Sequence, residues 1–202
     1  MAHTENLLVL HVIALACAPA ADAWSVDREL AARRARSTPE GSAEVEHRRA
    51  PRATPPAAGY GWALRLLLAI TAVTYVLAGI AKLRIAGFDW LAGEQLRNQI
   101  AIDNLRKALL GDGIAPLGTI FLDHPAGFTV FSIATIALEL AAPLLLWGGR
   151  IARLWALAAW GFHVGVVLLM NIWFPYPLLG LAYLGALAPE RPLVWLAVRW
   201  RR

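Results

Sequence analysis

Residues 61–81, GWALRLLLAITAVTYVLAGIA, decide the class of fold. These twenty-one residues carry one charge, Arg65, close to their start. As a helix, a run of this length crosses the roughly 30 Å hydrocarbon core of a bilayer. Tyr60 and Trp62 stand where an aromatic belt forms at a membrane–water interface, and Lys82-Leu-Arg84 closes the run.

Further apolar blocks follow the same pattern. Residues 126–147 read as a second span with Glu139 and Pro143 inside it, and residues 151–173 as a third with His163 inside it and Asn171 near its end. A shorter block, 175–187, closes the bundle. Residues 87–111 are too polar to span. There Ile102, Leu105 and Leu109 share one helix face opposite Asp103, Asn104 and Lys107, which predicts an amphipathic helix at the interface. At the other end, residues 7–21 form an apolar block that is short for a crossing. A secretory signal is its rival, since Ala18-Pro-Ala20 and Ala21-Asp-Ala23 imitate a cleavage site, but the first six residues hold Glu5 and no Lys or Arg.

The expected organisation is therefore all-α: a multi-pass transmembrane bundle of about five spans with interfacial amphipathic helices. It divides into an N-terminal membrane helix (1–23), a disordered cytoplasmic linker (24–59), the bundle (60–190) and an amphipathic tail (191–202). The linker is rich in Ala, Arg, Glu, Ser and Pro and lacks apolar periodicity. Of the 202 residues, 58% are hydrophobic and only 16% charged, against about a quarter in ordinary soluble domains. The net charge of +5 would suggest nucleic acid in a soluble protein. Here the basic residues flank apolar blocks and serve as an orientation signal, with acidic residues interleaved in the linker. With the linker in the cytoplasm, that side holds fourteen Lys and Arg and the other side five, which predicts an outside N-terminus and a cytoplasmic C-terminus in the cell membrane. Membrane lipids are the expected partners, and nucleic acid is not. The single Cys17 excludes an internal disulfide, and the five His show no ligand spacing, so no metal is expected.

Three ionisable residues within or at the ends of spans invite chemistry: Lys82, Glu139 and His163. Counted from the start of their spans, Glu139 and His163 both fall near mid-bilayer, where a hydrogen bond across neighbouring helices is open to them. The same pair serves equally as a polar contact that pins two helices. Trp160, His163, Val167, Met170 and Phe174 follow three–four spacing, a stripe more typical of packing than of a cofactor slot. Lys82 closes the outer end of its span, about 15 Å in depth from His163. It reads either as a snorkelling anchor or as a partly desolvated amine that acts as a base. Tyr75, Gly79 and Lys82 lie on one helix face, and Gly79 admits a second helix or a flat ligand close to the amine. Asp123-His124-Pro125 reads as a turn before the next helix.

Tyr75-Val-Leu-Ala-Gly-Ile-Ala-Lys-Leu83, followed by Asp89-Trp90-Leu-Ala-Gly93, resembles the membrane domain of vitamin K-dependent gamma-carboxylases and their bacterial relatives, the HTTM-domain proteins. The family pattern runs Tyr-x-x-Ala-Gly-x-x-Lys-Leu and then Trp-x-x-Gly, with a later acidic residue in a span and Phe-His in the next, as at Glu139 and Phe162-His163. The resemblance covers roughly residues 60–188, with His11 in a plausible place before it. It implies Lys82 as the catalytic base toward a reduced quinone of the vitamin K type. It also implies Tyr75, Gly79 and Trp90 at the substrate, with Glu139 and His163 as internal polar support. The implied activity is quinol epoxidation coupled to carboxylation, on the lumenal side. DoxX-type membrane proteins carry a similar Gly-x-x-Lys, so a quinone-associated redox accessory is an alternative. A non-catalytic membrane scaffold or partner is another.

Overall fold

The computed structural model describes residues 6–18 and 58–187, and every element it contains there is helical. Helix α1 spans Asn6–Ala16 and α2 spans Ala58–Ala86. A 3-10 turn, Gly87–Trp90, leads to α3, Glu94–Leu110. Two proline-led helices follow, α4 (Pro116–Phe121) and α5 (Pro125–Leu140). A 3-10 segment, Ala142–Trp147, then connects to α6, Gly149–Met170. Three short turns close the described chain: α7 (Pro175–Leu178), a 3-10 turn (Leu181–Tyr183) and α8 (Leu184–Leu187). The expected linker falls outside the described residues except at 58 and 59, which already belong to α2, and so does the tail 191–202.

Among the described residues, two elements are long and apolar enough to cross a membrane, α2 with the turn that follows it and α6, rather than about five. Helices α1 and α5 are equally apolar but shorter. The eleven residues of α1 reach about 16 Å, half a hydrocarbon core. The expected span 126–147 divides because Pro143 has no N–H to continue the ladder and disfavours helical backbone in the residue before it. The α-helix therefore stops at Leu140, and the chain tightens into 3-10 geometry. The carbonyls this exposes need partners, and Trp155 Nε1 donates to the Leu138 oxygen at 3.0 Å. Beyond Asn171, which is left-handed at φ 48°, Pro175 and Pro177 keep the block 175–187 in short turns.

The distribution of polarity is inverted relative to a water-soluble globule. On α6 the small Ala152, Ala156 and Ala159 face inward, whereas Ile151, Leu154, Leu157 and Leu168 face outward. On α1, His11 and Ala14 are buried, and Leu8, Val9, Leu10, Val12, Ile13 and Leu15 are exposed. On α3, Ile102, Leu105 and Leu109 point away from the protein while Asn104 and Lys107 are buried against it. Small residues let backbones approach closely, and polar side chains hydrogen-bond across helices; both are habits of bundles solvated by lipid. The core itself, centred on Tyr75, Leu145, Trp155 and Tyr183, is built where α2, the 3-10 segment 142–147, α6 and the closing turns meet.

Candidate functional site

Lys82 lies one turn before the end of α2, with its side chain 24% exposed. Its ammonium forms an ion pair with Glu139 of α5, which is almost wholly buried, and stands 5.6 Å from the centroid of the Trp90 ring. That is a cation–π arrangement between the amine and a buried indole. Gly79 explains how the two helices come close enough. A Cβ at this position would lie 3.1 Å from the Glu139 Cβ and 3.1 Å from the Leu140 Cδ2. Of the two partners that Gly79 admits in principle, a helix or a flat ligand, the structure seats the helix α5 there.

A bond between Glu139 and His163 at mid-bilayer was open to them on the sequence, and the fold pairs both differently. Packing of α5 on Gly79 sets Glu139 level with Lys82, so the carboxylate takes the amine as its partner. His163 Nε2 instead meets the Tyr75 hydroxyl at 2.7 Å, and the same hydroxyl meets that of Tyr183 at 2.6 Å. Trp155 packs edge-on against the Tyr75 ring, with centroids 4.9 Å apart at 84°. As expected from their depth, Lys82 and His163 share no hydrogen bond. Of the stripe on α6, Phe174 packs on the His163 ring at 5.2 Å, and Trp160 Nε1 donates to the Leu178 carbonyl at 2.9 Å, which is packing. Asp123 and His124 are exposed in the turn before α5.

Buried polar atoms without a hydrogen-bond partner among the described residues include Trp90 Nε1 and Glu139 Oε2 at the ion pair, Ser132 Oγ two turns before Glu139 on α5, and His163 Nδ1 beside Tyr75. Ser132 and Glu139 occupy the same buried face of α5. Unsatisfied groups of this kind are uncommon in native interiors and mark places where a ligand or water completes the bonding. Both donors and acceptors are present. Among the described residues no three His, Cys, Asp or Glu side chains converge as a metal group would require.

A second polar cluster escaped sequence reasoning. His11 Nε2 lies 3.0 Å from the Leu67 carbonyl and 3.1 Å from Thr71 Oγ1, and its Nδ1 contacts the Tyr176 hydroxyl. Thr71 also donates to the Ala182 carbonyl at 3.3 Å. The signals available were His11, marked by the family resemblance, and the spacing of Thr71, Tyr75 and Lys82 on one side of α2; nothing in the sequence marked Tyr176 or Tyr183.

Where α3 meets the end of α6, the buried Lys107 donates to the carbonyls of Met170 and Asn171, and it pairs with Asp103 at 2.6 Å. Arg106 adds a second bond to Asp103 at 2.8 Å. Burial alone raises the Asp103 carboxyl, but hydrogen bonds from Lys107 and then Arg106 outweigh it and hold the group below the ordinary value of 3.8. A depressed carboxylate stabilises the fold above its unfolded pKa and loses that contribution as pH falls through the folded value. The thermal midpoint of the wild type is therefore expected to exceed that of Asp103→Asn by a constant margin above about pH 5 and to converge on it below about pH 4. A margin that does not shrink at all as the pH falls below about 4 would contradict the ion-pair origin.

No family model, curated protein or solved structure matches the chain.

Proposed function

We propose that the protein is a multi-pass integral membrane protein of the HTTM type, with a site for a reduced quinone around Lys82. The observation that carries this reading is the convergence of Lys82, Glu139 and Trp90 beside unpartnered buried donors and acceptors, inside a bundle whose exterior is apolar. In this reading α2 and α6 cross the bilayer. Helix α5 with its 3-10 continuation and the closing turns complete further passages, α1 leans into the lipid, and α3 lies at the outer interface. The N-terminus lies outside and the C-terminus in the cytoplasm.

The residues present fit such a ligand. Trp90 supplies a flat apolar wall and an N–H, Ser132 a hydroxyl, and Glu139 an acceptor oxygen, while Tyr75 lies deeper on the same helix as Lys82. A bound quinol supplies an acidic hydroxyl and, with oxygen, a strong base. Lys82 takes the hydroxyl proton once its own ammonium proton has passed to Glu139, a shift between two groups already in contact. A scaffold role is the second reading, favoured by one observation: Lys82 already has a protein partner, which suffices to hold α2 to α5.

Lys82→Arg separates the two. Arginine keeps the positive charge opposite Glu139 but cannot give up its proton in a protein. The purified wild type is expected to carry quinone in its lipid extract and to turn over quinol in membranes. Lys82→Arg is expected to keep its thermal midpoint within about 2 °C and lose turnover by about a hundredfold, the loss typical of removing a catalytic base. A wild type without bound quinone or quinol turnover leaves the scaffold reading standing alone, whereas a fully active Lys82→Arg removes Lys82 as the base.

A further inference from the structure

The buried polar side chains fall into three hydrogen-bonded groups arrayed along α2. Along α2, the Leu67 carbonyl, Thr71, Tyr75 and Lys82 occupy successive positions on the inner side, spanning about 22 Å of helix, or roughly three quarters of a hydrocarbon core. At one end is the half-buried residue Tyr176, its hydroxyl on His11, and at the other the half-buried Lys82. Between them His11, Thr71, Tyr183, Tyr75, His163 and Glu139 are all buried. Tyr176 meets His11 at Nδ1, and His11 meets Thr71 at Nε2. Thr71 bonds to the carbonyl of Ala182, next in chain to Tyr183. Tyr183 meets Tyr75, and Tyr75 meets His163 at Nε2. The last step is Glu139 to Lys82.

We propose that this line is a proton path through the bundle, connecting the Lys82–Glu139 pair with the opposite side of the membrane. It rests on the membrane-spanning part of the proposed function, not on a quinone. Two features favour transport over a purely structural network. Both histidines are engaged as links: His11 uses its two ring nitrogens on two successive partners. His163 uses Nε2 on Tyr75 and keeps Nδ1 buried and without a partner among the described residues. Glu139 likewise keeps Oε2 buried and without such a partner. The line therefore breaks where two unsatisfied polar atoms remain, and again between Thr71 and Tyr183; the path requires water at each break. Protons balance at every link. A hydroxyl that receives a proton on its oxygen releases its own onward, an imidazole that gains one at one nitrogen loses one from the other, and one proton enters at Tyr176 for each that leaves at Lys82.

The test uses the full chain reconstituted in liposomes that contain a pH-sensitive dye, with a potassium diffusion potential as the driving force. Proton flux is expected to exceed that of protein-free vesicles several-fold. Tyr75→Phe keeps the ring against Trp155 and removes the central hydroxyl; it is expected to lower the flux by about tenfold. Tyr183→Phe, a second interruption of the same line, is expected to do likewise, while the exposed Thr74→Ala leaves it unchanged. Wild-type flux equal to that of empty vesicles, or undiminished flux in both Tyr→Phe variants at unchanged thermal midpoints, overturns the path. Flotation of the protein with the vesicles is scored separately. A protein that fails to float overturns the membrane reading together with the path, whereas a floating protein without flux overturns the path alone.

Discussion

Lys82→Ala is expected to destabilise the bundle by about 3 kcal/mol, more than Glu139→Gln, although the two residues form a single ion pair. The asymmetry follows from where each partner is left. Removing Lys82 strands a carboxylate whose side chain is only 4% exposed, and breaking a buried pair on one side costs about 3–5 kcal/mol because an uncompensated charge remains. Removing the carboxylate leaves an amine whose side chain is 24% exposed at the end of a flexible stem, able to reach water at the rim. That single change is expected to cost about 1 kcal/mol, in the range of an exposed pair. In the double variant Lys82→Ala with Glu139→Gln neither charge remains, and the cost is expected to be about 2 kcal/mol in place of the additive sum of about 4, giving a coupling of about 2 kcal/mol in a double-mutant cycle. Reversible unfolding in mixed micelles measures all four proteins. Equal costs for the two single variants, with no coupling, would sink the ion pair as the tie between α2 and α5.

The second large effect is expected at Gly118 in α4. A Cβ there would run into the Leu169 carbonyl, with the Asn104 Nδ2 at 2.9 Å and the Leu169 carbonyl carbon at 3.0 Å. Backbone on α6 cannot yield as a side-chain tip can, so α4 must move away. The neighbouring bonds move with it. Asn104 Oδ1 accepts the Ala115 N–H at 2.8 Å, its Nδ2 donates to the Ile100 carbonyl at 3.1 Å, and Asn171 Nδ2 donates to the Gly113 carbonyl at 2.9 Å. Together with Lys107 on the last carbonyls of α6, these bonds fasten α3 and α4 to the end of that helix. Gly118→Ala is expected to cost about 3 kcal/mol, the upper end of overpacking penalties, and to shift the thermal midpoint accordingly. Gly161→Ala on α6 is the matched control. Nothing lies within 4 Å of its added Cβ, and the gain in helix propensity, up to about 1 kcal/mol, is expected to leave the midpoint unchanged or raised. A Gly118→Ala protein as stable as the control would mean that α4 and α6 do not touch at this point.

Much of the site was legible because it lies on one helix. Tyr75, Gly79 and Lys82 recur at the spacing of a helix face, and any helical reading of residues 61–84 places them on the same side of α2. The amphipathic pattern of residues 87–111 was legible for the same reason, and α3 does carry its apolar residues apart from Asn104 and Lys107. Partners were another matter. Counting along each span set Glu139 at the depth of His163, but depth counted along one helix says nothing about how far a neighbouring helix is shifted along its axis. Gly79 and Pro143 were both visible as residues. Their joint consequence, an α5 that ends at Leu140 while seated on α2, depends on packing between segments more than fifty residues apart.

From its residue order alone the chain determines which segments are helical, which of their faces are greasy, and where glycine and proline interrupt them, because these follow from backbone sterics and local periodicity. Pairing belongs to the folded molecule: Glu139 with Lys82, Tyr75 with His163 and Tyr183, His11 with Thr71 and Tyr176. A buried polar atom bonds to whatever donor or acceptor the packing brings within about 3 Å. That distance is set by the axial shifts and crossings of whole helices, which no local stretch of sequence encodes.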